Sequence, residues 1–296
     1  MKKYFLLVAA CVAACLRIAA QDKPLINKQM LGSWPLIVAR ESHTTLSPSG
    51  QFLAYTIYNH PINLSTIVVQ EIGTNWKKEI ISSYPEQLFF SINSRHLCWR
   101  QNDSVFLLTT STKNMRFLGV SNSLSFPESK KGEWLFLTAG SGKGKLMNLV
   151  SGKERSFEGV LDHSWSPDGQ YLLISADKTG ANGQLQLLHL KTGKERLFSN
   201  VKEYRWSPTG HALVLVTGTA GNPQLEWFSL KDGSLRTIWT GQSDQKLINL
   251  VFDGAGRRLA FGVEEGSAAQ MNRSIWVFGE GQQRAVQTID GKSPLL

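Results

Sequence analysis

Trp165-Ser166-Pro167-Asp168-Gly169-Gln170-Tyr171-Leu172-Leu173-Ile174 returns 41 residues later as Trp206-Ser207-Pro208-Thr209-Gly210-His211-Ala212-Leu213-Val214-Leu215. Each copy is a tight turn that opens an apolar run. Pro presets φ at the second position of a type I turn, Asp or Thr suits the next, and Gly accepts the exit conformation. Weaker copies lie on either side. Leu46-Ser47-Pro48-Ser49-Gly50 precedes Phe52-Leu53-Ala54-Tyr55, and Phe90-Ser91-Ile92-Asn93-Ser94 precedes Leu97-Cys98-Trp99. Leu124-Ser125-Phe126-Pro127 precedes Trp134-Leu135-Phe136 after a polar insert at 128–131, and Phe252-Asp253-Gly254-Ala255-Gly256 precedes Leu259-Ala260-Phe261. Taking Ser47, Ser91, Ser125, Ser166, Ser207 and Asp253 as equivalent gives a loosely kept period near forty.

The second half of each unit repeats as well. A polar hairpin, Lys178 to Gly183 in the fourth unit, leads to the alternating strand Leu185-Gln186-Leu187-Leu188-His189-Leu190. Lys191-Thr192-Gly193-Lys194 then turns the chain into Glu195-Arg196-Leu197-Phe198, and Ile72 to Asn75, Ser151 to Glu154 and Lys231 to Ser234 match it. Strand, turn, strand, hairpin, strand, turn, strand at this period is the signature of four-stranded blades set around an axis. The expectation is an all-β propeller of about six blades over 46–296, open or closed, with 21–45 as an N-terminal segment. Leu36-Ile37-Val38-Ala39 is a candidate for a strand that closes the ring. Ser and Asp recurring at equivalent turns are read as turn-formers, since an active site needs one copy only.

Composition is consistent with one large domain: 42% of the residues are hydrophobic, and most of the nine tryptophans stand beside the turns or within the strands, where they suit packing between blades. Lys2 and Lys3, the apolar stretch Tyr4 to Leu16 and the small residues before Gln21 form a secretory leader with cleavage expected after Ala20. An alternative is lipidation at Cys11 or Cys15, each ending a lipobox-like Val-Ala-Ala-Cys. Either reading exports the chain to the periplasm or the medium, and no other stretch is apolar enough for a membrane span. After cleavage Cys98 is alone, so no internal disulfide forms and a buried thiol on a strand is expected. The charge of +9 includes the leader's Lys2, Lys3 and Arg17. The remaining bases are spread through turns without a dense run, so nucleic acid is not an expected partner.

Catalytic motifs are missing from the sequence. It contains no G-x-S-x-G, and its histidines form no H-E-x-x-H. Gly140-Ser141-Gly142-Lys143-Gly144-Lys145 imitates a phosphate loop, but Ala139 replaces its first Gly, Leu146 its Ser or Thr, and no helix follows; it reads as a hairpin. No catalytic residue, metal ligand or cofactor is expected. The one carboxylate pair, Glu264-Glu265, is a weak candidate for holding a substrate amine; an exposed turn before Gly266 is the plainer expectation.

Trp-Ser-Pro-Asp-Gly followed by Tyr-Leu-Leu-Ile, a polar hairpin and Leu-Lys-Thr-Gly-Lys-Glu resembles the propeller repeat of Tol-system periplasmic proteins and of prolyl oligopeptidase-family peptidases. Lys23-Pro24-Leu25-Ile26, Trp34-Pro35 and Thr66-Ile67-Val68-Val69-Gln70 with Trp76-Lys77-Lys78-Glu79 resemble the start of secreted peptidases of the latter family. The resemblance implies a non-catalytic propeller that binds or gates peptides for an α/β-hydrolase domain outside this sequence, with the ligand at the loop face or central channel. The alternative is a stand-alone periplasmic interaction scaffold of the Tol type.

Overall fold

The computed structural model describes residues 31, 34–37, 44–83, 85–127, 133–176, 183–219, 221–267 and 270–290. The expected leader with Cys11 and Cys15, the insert at 128–131 and the hairpin at 178–182 lie outside them.

Among the described residues six antiparallel sheets follow one another, and every sheet is built from consecutive strands. Blade 1 holds Thr44–Leu46, Phe52–Tyr58, Ser65–Glu71 and Lys77–Ser82, and blade 2 holds Pro85–Phe90, His96–Gln101, Ser104–Thr109 and Met115–Val120. Blade 3 holds Ser123–Ser125, Trp134–Ala139, Lys143–Asn148 and Glu154–Phe157, and blade 4 holds Val160–Trp165, Tyr171–Ala176, Gln184–His189 and Glu195–Phe198. Blade 5 holds Glu203–Trp206, Ala212–Thr219, Asn222–Ser229 and Leu235–Thr240; blade 6 holds Gln245–Phe252, Arg258–Ser267, Gln270–Gly279 and Val286–Ile289. The architecture is an open β-propeller, as the repeat predicts.

The turn chemistry explains why each blade begins where it does. Ser47 Oγ accepts the Phe52 backbone N–H at 3.0 Å, Ser91 Oγ that of His96 at 3.1 Å, Ser166 Oγ that of Tyr171 at 2.9 Å and Ser207 Oγ that of Ala212 at 3.0 Å. In blade 6 Asp253 does the same for Arg257 and Arg258, and these backbone N–H groups hold its carboxyl below the ordinary range. The exit residues Gly50, Gly169, Gly210 and Gly256 all have φ between 66° and 76°, and Ser94 adopts 61° at the same place in blade 2.

One register expectation changes. Ser125 pairs across from Phe136, and Ser164 pairs across from Leu173, the matching residue of blade 4. Ser125 is therefore equivalent to Ser164, and the turn position of blade 3 falls two residues later, on Pro127. Leu36–Ile37 is corrected too. It pairs with Tyr58 and Ile57 of blade 1, beyond the end of Thr44–Leu46, so it extends the first blade's inner edge and does not close the sixth.

The core is divided among the junctions. Each of five apolar clusters is shared by two consecutive blades: Ala54, Ile67 and Trp99 lie between blades 1 and 2, Cys98, Leu107 and Leu135 between 2 and 3, and Phe136, Leu172 and Ile174 between 3 and 4. Leu173, Leu187 and Leu213 fill the fourth junction, and Trp227, Trp239 and Phe261 the fifth. Successive side chains of a strand point to opposite faces, so Cys98 and Trp99 serve different junctions. Cys98 is fully buried, and burial pushes its thiol far above the usual thiol range.

Candidate functional site

The three junctions from blade 2 to blade 5 use a pair of positions at the end of the innermost strands. The residue that ends this strand in blades 4 and 5, or directly follows it in blade 3, reaches back to the residue one register position earlier in the preceding blade. Trp165 Nε1 donates to Ser125 Oγ at 3.0 Å, and Trp206 Nε1 donates to Ser164 Oγ at 2.9 Å. Where blade 3 carries Phe126 in place of Trp, blade 2 carries Phe89 in place of Ser, and the rings meet edge to face with centroids 4.6 Å apart. The tryptophans thus combine apolar packing with a polar tie between blades.

The same junctions contain the most reactive-looking contacts of the described residues. Ser125 Oγ lies 2.7 Å from His163 Nε2, a nucleophile-to-base spacing. Burial lowers the His163 pKa against the opposing effect of Asp162, so the ring is neutral, and we assign the hydroxyl as the donor to Nε2. Its oxygen is already an acceptor for Trp165. The Asp162 carboxylate accepts the backbone N–H of His163 at 2.7 Å, so that oxygen is not directed to the imidazole. Since the Trp-to-Ser bond recurs at Ser164 without a histidine, the Ser125 hydroxyl belongs to the junction. At the junction of blades 2 and 3, His96 Nε2 lies 3.2 Å from Glu133 Oε2. Burial, then Arg116 and Arg95, pushes His96 down to about 4, while burial raises Glu133. We therefore assign this contact as a neutral imidazole N–H donating to a carboxylate.

A cavity of about 630 Å³ opens where blades 3 and 4 meet, within the size range of binding sites for small molecules and peptide side chains. Trp134, Leu146, Leu188 and Leu190 form its apolar wall, and Lys153, Arg155 and Lys191 stand at its rim. Its lining comes from the start of blade 3's second strand, the ends of the third strands, the turns after them and the start of blade 3's fourth strand, on the face that carries the Ser-Pro-Asp-Gly turns. Trp134 occupies the register position held by His96 in blade 2 and Tyr171 in blade 4. Those two residues bridge their junctions, His96 to Glu133 and Tyr171 Oη to the Leu230 carbonyl at 3.3 Å. At the third junction the indole lines the open space instead. Arg155 pairs with Glu195 at 2.5 Å and Glu154 with Lys145 at 2.7 Å, which leaves the exposed Lys153 and Lys191 to give the rim a positive bias.

No motif announced this site, because its residues come from two blades at positions that elsewhere are structural. Glu264 and Glu265, the pair singled out in the sequence, lie inside the strand Arg258–Ser267 and not in a turn. They alternate across the sheet. Glu264 accepts from Arg273 at 2.9 Å, and Glu265 borders a small cavity with Asn272 and Gln287. Gly140 to Gly142 forms the expected hairpin between Trp134–Ala139 and Lys143–Asn148. Among the described residues no group of His, Cys, Asp and Glu is placed to hold a metal ion, and no helix is long and apolar enough to cross a membrane.

No family model and no curated protein matches the chain. Solved structures similar to it include a chain of the mitotic checkpoint complex, at 14% identity over 92% of this chain and 87% of that one, with a TM-score of 0.40. A eukaryotic initiation factor is 12% identical over 88% and 94%, with a TM-score of 0.44. Hsv2 of Kluyveromyces lactis is 12% identical over 80% and 76%, with a TM-score of 0.41. The propeller assignment rests on this chain's own sheet order and junctions.

Proposed function

We propose that this chain is a non-catalytic binding propeller that takes up an extended peptide or protein segment on its turn-bearing face. The cavity between blades 3 and 4 carries the reading. Its apolar wall of Trp134, Leu146, Leu188 and Leu190 suits one large apolar side chain, and Lys153 and Lys191 favour an acidic residue beside it. The hydroxyl nearest a base, that of Ser125, is held in a junction, which supports binding without cleavage. The loop face is favoured over the central channel because the cavity lies toward the outer strands. Gating peptides for a separate hydrolase domain is the finer form of the proposal, drawn from the sequence resemblance; export to the periplasm or medium belongs to the same proposal.

Selection of a random peptide library on the full chain tests it. Recovered peptides should pair an apolar anchor with Asp or Glu, and Trp134→Ala or the exposed substitutions Lys153→Glu and Lys191→Glu should each weaken them about tenfold, near 1.4 kcal/mol. Peptides that bind all three variants as well as the parent would reject the site. Labelling by a serine-hydrolase probe would reject the non-catalytic reading.

A further inference from the structure

The two ends of the array present faces built to the same register as the internal junctions. At the five junctions the reaching position is occupied by Phe90, Phe126, Trp165, Trp206 and Phe252, and the receiving position by Thr45, Phe89, Ser125, Ser164 and Arg205. Continued one step past each end, the receiving position of blade 6 is Val251 and the reaching position of blade 1 is Leu46. These side chains are 59% and 55% exposed. Both belong to larger apolar faces. On blade 6, Ile275, Val286 and Ile289 share the Val251 face by pairing and are exposed; on blade 1, Ile37 and Ile81 share the Leu46 face and are exposed. Contiguous exposed apolar residues on a sheet face mark an interaction surface.

We infer that a second copy of this chain covers them, blade 6 of one molecule stacking on blade 1 of the next. Continuity with the internal junctions selects this occupant: each face is the complement that the other lacks, an aliphatic reaching residue opposite an aliphatic receiving one. The carboxylates do not oppose the stacking. Glu264 is paired with Arg273 at 2.9 Å on the blade 6 face, and Glu79 with Lys77 at 2.6 Å on the blade 1 face, so each face neutralises its own acid. The contact is heterologous, using two different surfaces of each copy.

Sedimentation velocity of the full chain tests the inference at concentrations up to tens of micromolar. The parent should associate, and Val251→Glu and Leu46→Glu, both at exposed positions, should each weaken association by about tenfold or more because a charge enters an apolar contact. Mixing the two variants supplies one intact blade 6 face and one intact blade 1 face, so the mixture should form a species of two chains. A parent that stays monomeric, whether open or closed on itself, overturns the inference. So does either variant associating like the parent, or a mixture of correctly folded variants that stays monomeric.

Discussion

The junction of blades 2 and 3 and that of blades 4 and 5 solve one packing problem with different chemistry. The first joins Phe89 to Phe126 through ring contact and places His96 against Glu133; the second joins Trp206 to Ser164 by a hydrogen bond and Tyr171 to the Leu230 carbonyl. Two positions have changed together across the blade boundary: a ring without a donor faces a ring, and an indole N–H faces a hydroxyl. From blade 2 to blade 5 the junctions therefore depend on the complementarity of the pair more than on any one residue being repeated.

Removing one side of the apolar pair should cost most. Phe126→Ala strips a half-buried ring from its partner and should destabilise by about 3 kcal/mol in denaturant unfolding, more than the loss of any one polar tie. Acidification should come next and should act through the histidine junctions. His96 is held near 4 against an ordinary 6.5, so below 6.5 the unfolded chain takes up a proton that the folded chain refuses. Stability should thus be full above about pH 6.5 and fall on the order of 2 kcal/mol by about pH 4. His163, also lowered, adds to the fall; Glu133, raised, offsets part of it because its folded form takes up a proton before the unfolded form does. Unfolding of the parent and of His96→Gln across that range checks the assignment, and a variant with undiminished pH dependence would remove His96 from the account.

A smaller effect separates the polar latch from simple packing. Trp206→Phe retains a ring but loses the donor to Ser164, and should cost about 1 kcal/mol. Combined with Ser164→Ala it should cost less than the sum of the single changes, and a double-mutant cycle without coupling would mean that the hydrogen bond does not tie the blades. The smallest effect expected is at Cys98: a thiol reagent should leave it unmodified in the folded protein and label it on unfolding, whereas labelling at the same rate in both states would place it outside the core.

How much of this was legible varied with the range of the interaction. The Ser-Pro-Asp-Gly turns could be read directly because Ser166 Oγ and Asp168 bond backbone within five residues of themselves. Blade 3 was misaligned by two residues because its turn position holds Pro127, while Ser125, which looked like the turn serine, is the latch acceptor. Leu36-Ile37-Val38-Ala39 was a candidate for closing the ring, but its apolar pattern specifies a strand and not which edge it joins. The cavity at blades 3 and 4 gave no signal: Trp134 reads as a packing residue, and only its placement against Leu188 and Leu190 of another repeat leaves space beside it. The strand through Glu264 and Glu265 outran its expected turn because Gly266 pairs with Met271 and continues the ladder.

Among the described residues the six blades share five apolar junctions, and the outer faces of blades 1 and 6 remain exposed. A short bis-maleimide applied at high dilution tests it, with Cys98 protected by burial. Arg205→Cys with Phe252→Cys, the latch positions of blades 5 and 6, should link within one chain, whereas Val251→Cys with Leu46→Cys, the same register at the free ends, should not. Efficient intramolecular linkage of the second pair would show a closed ring and contradict the account.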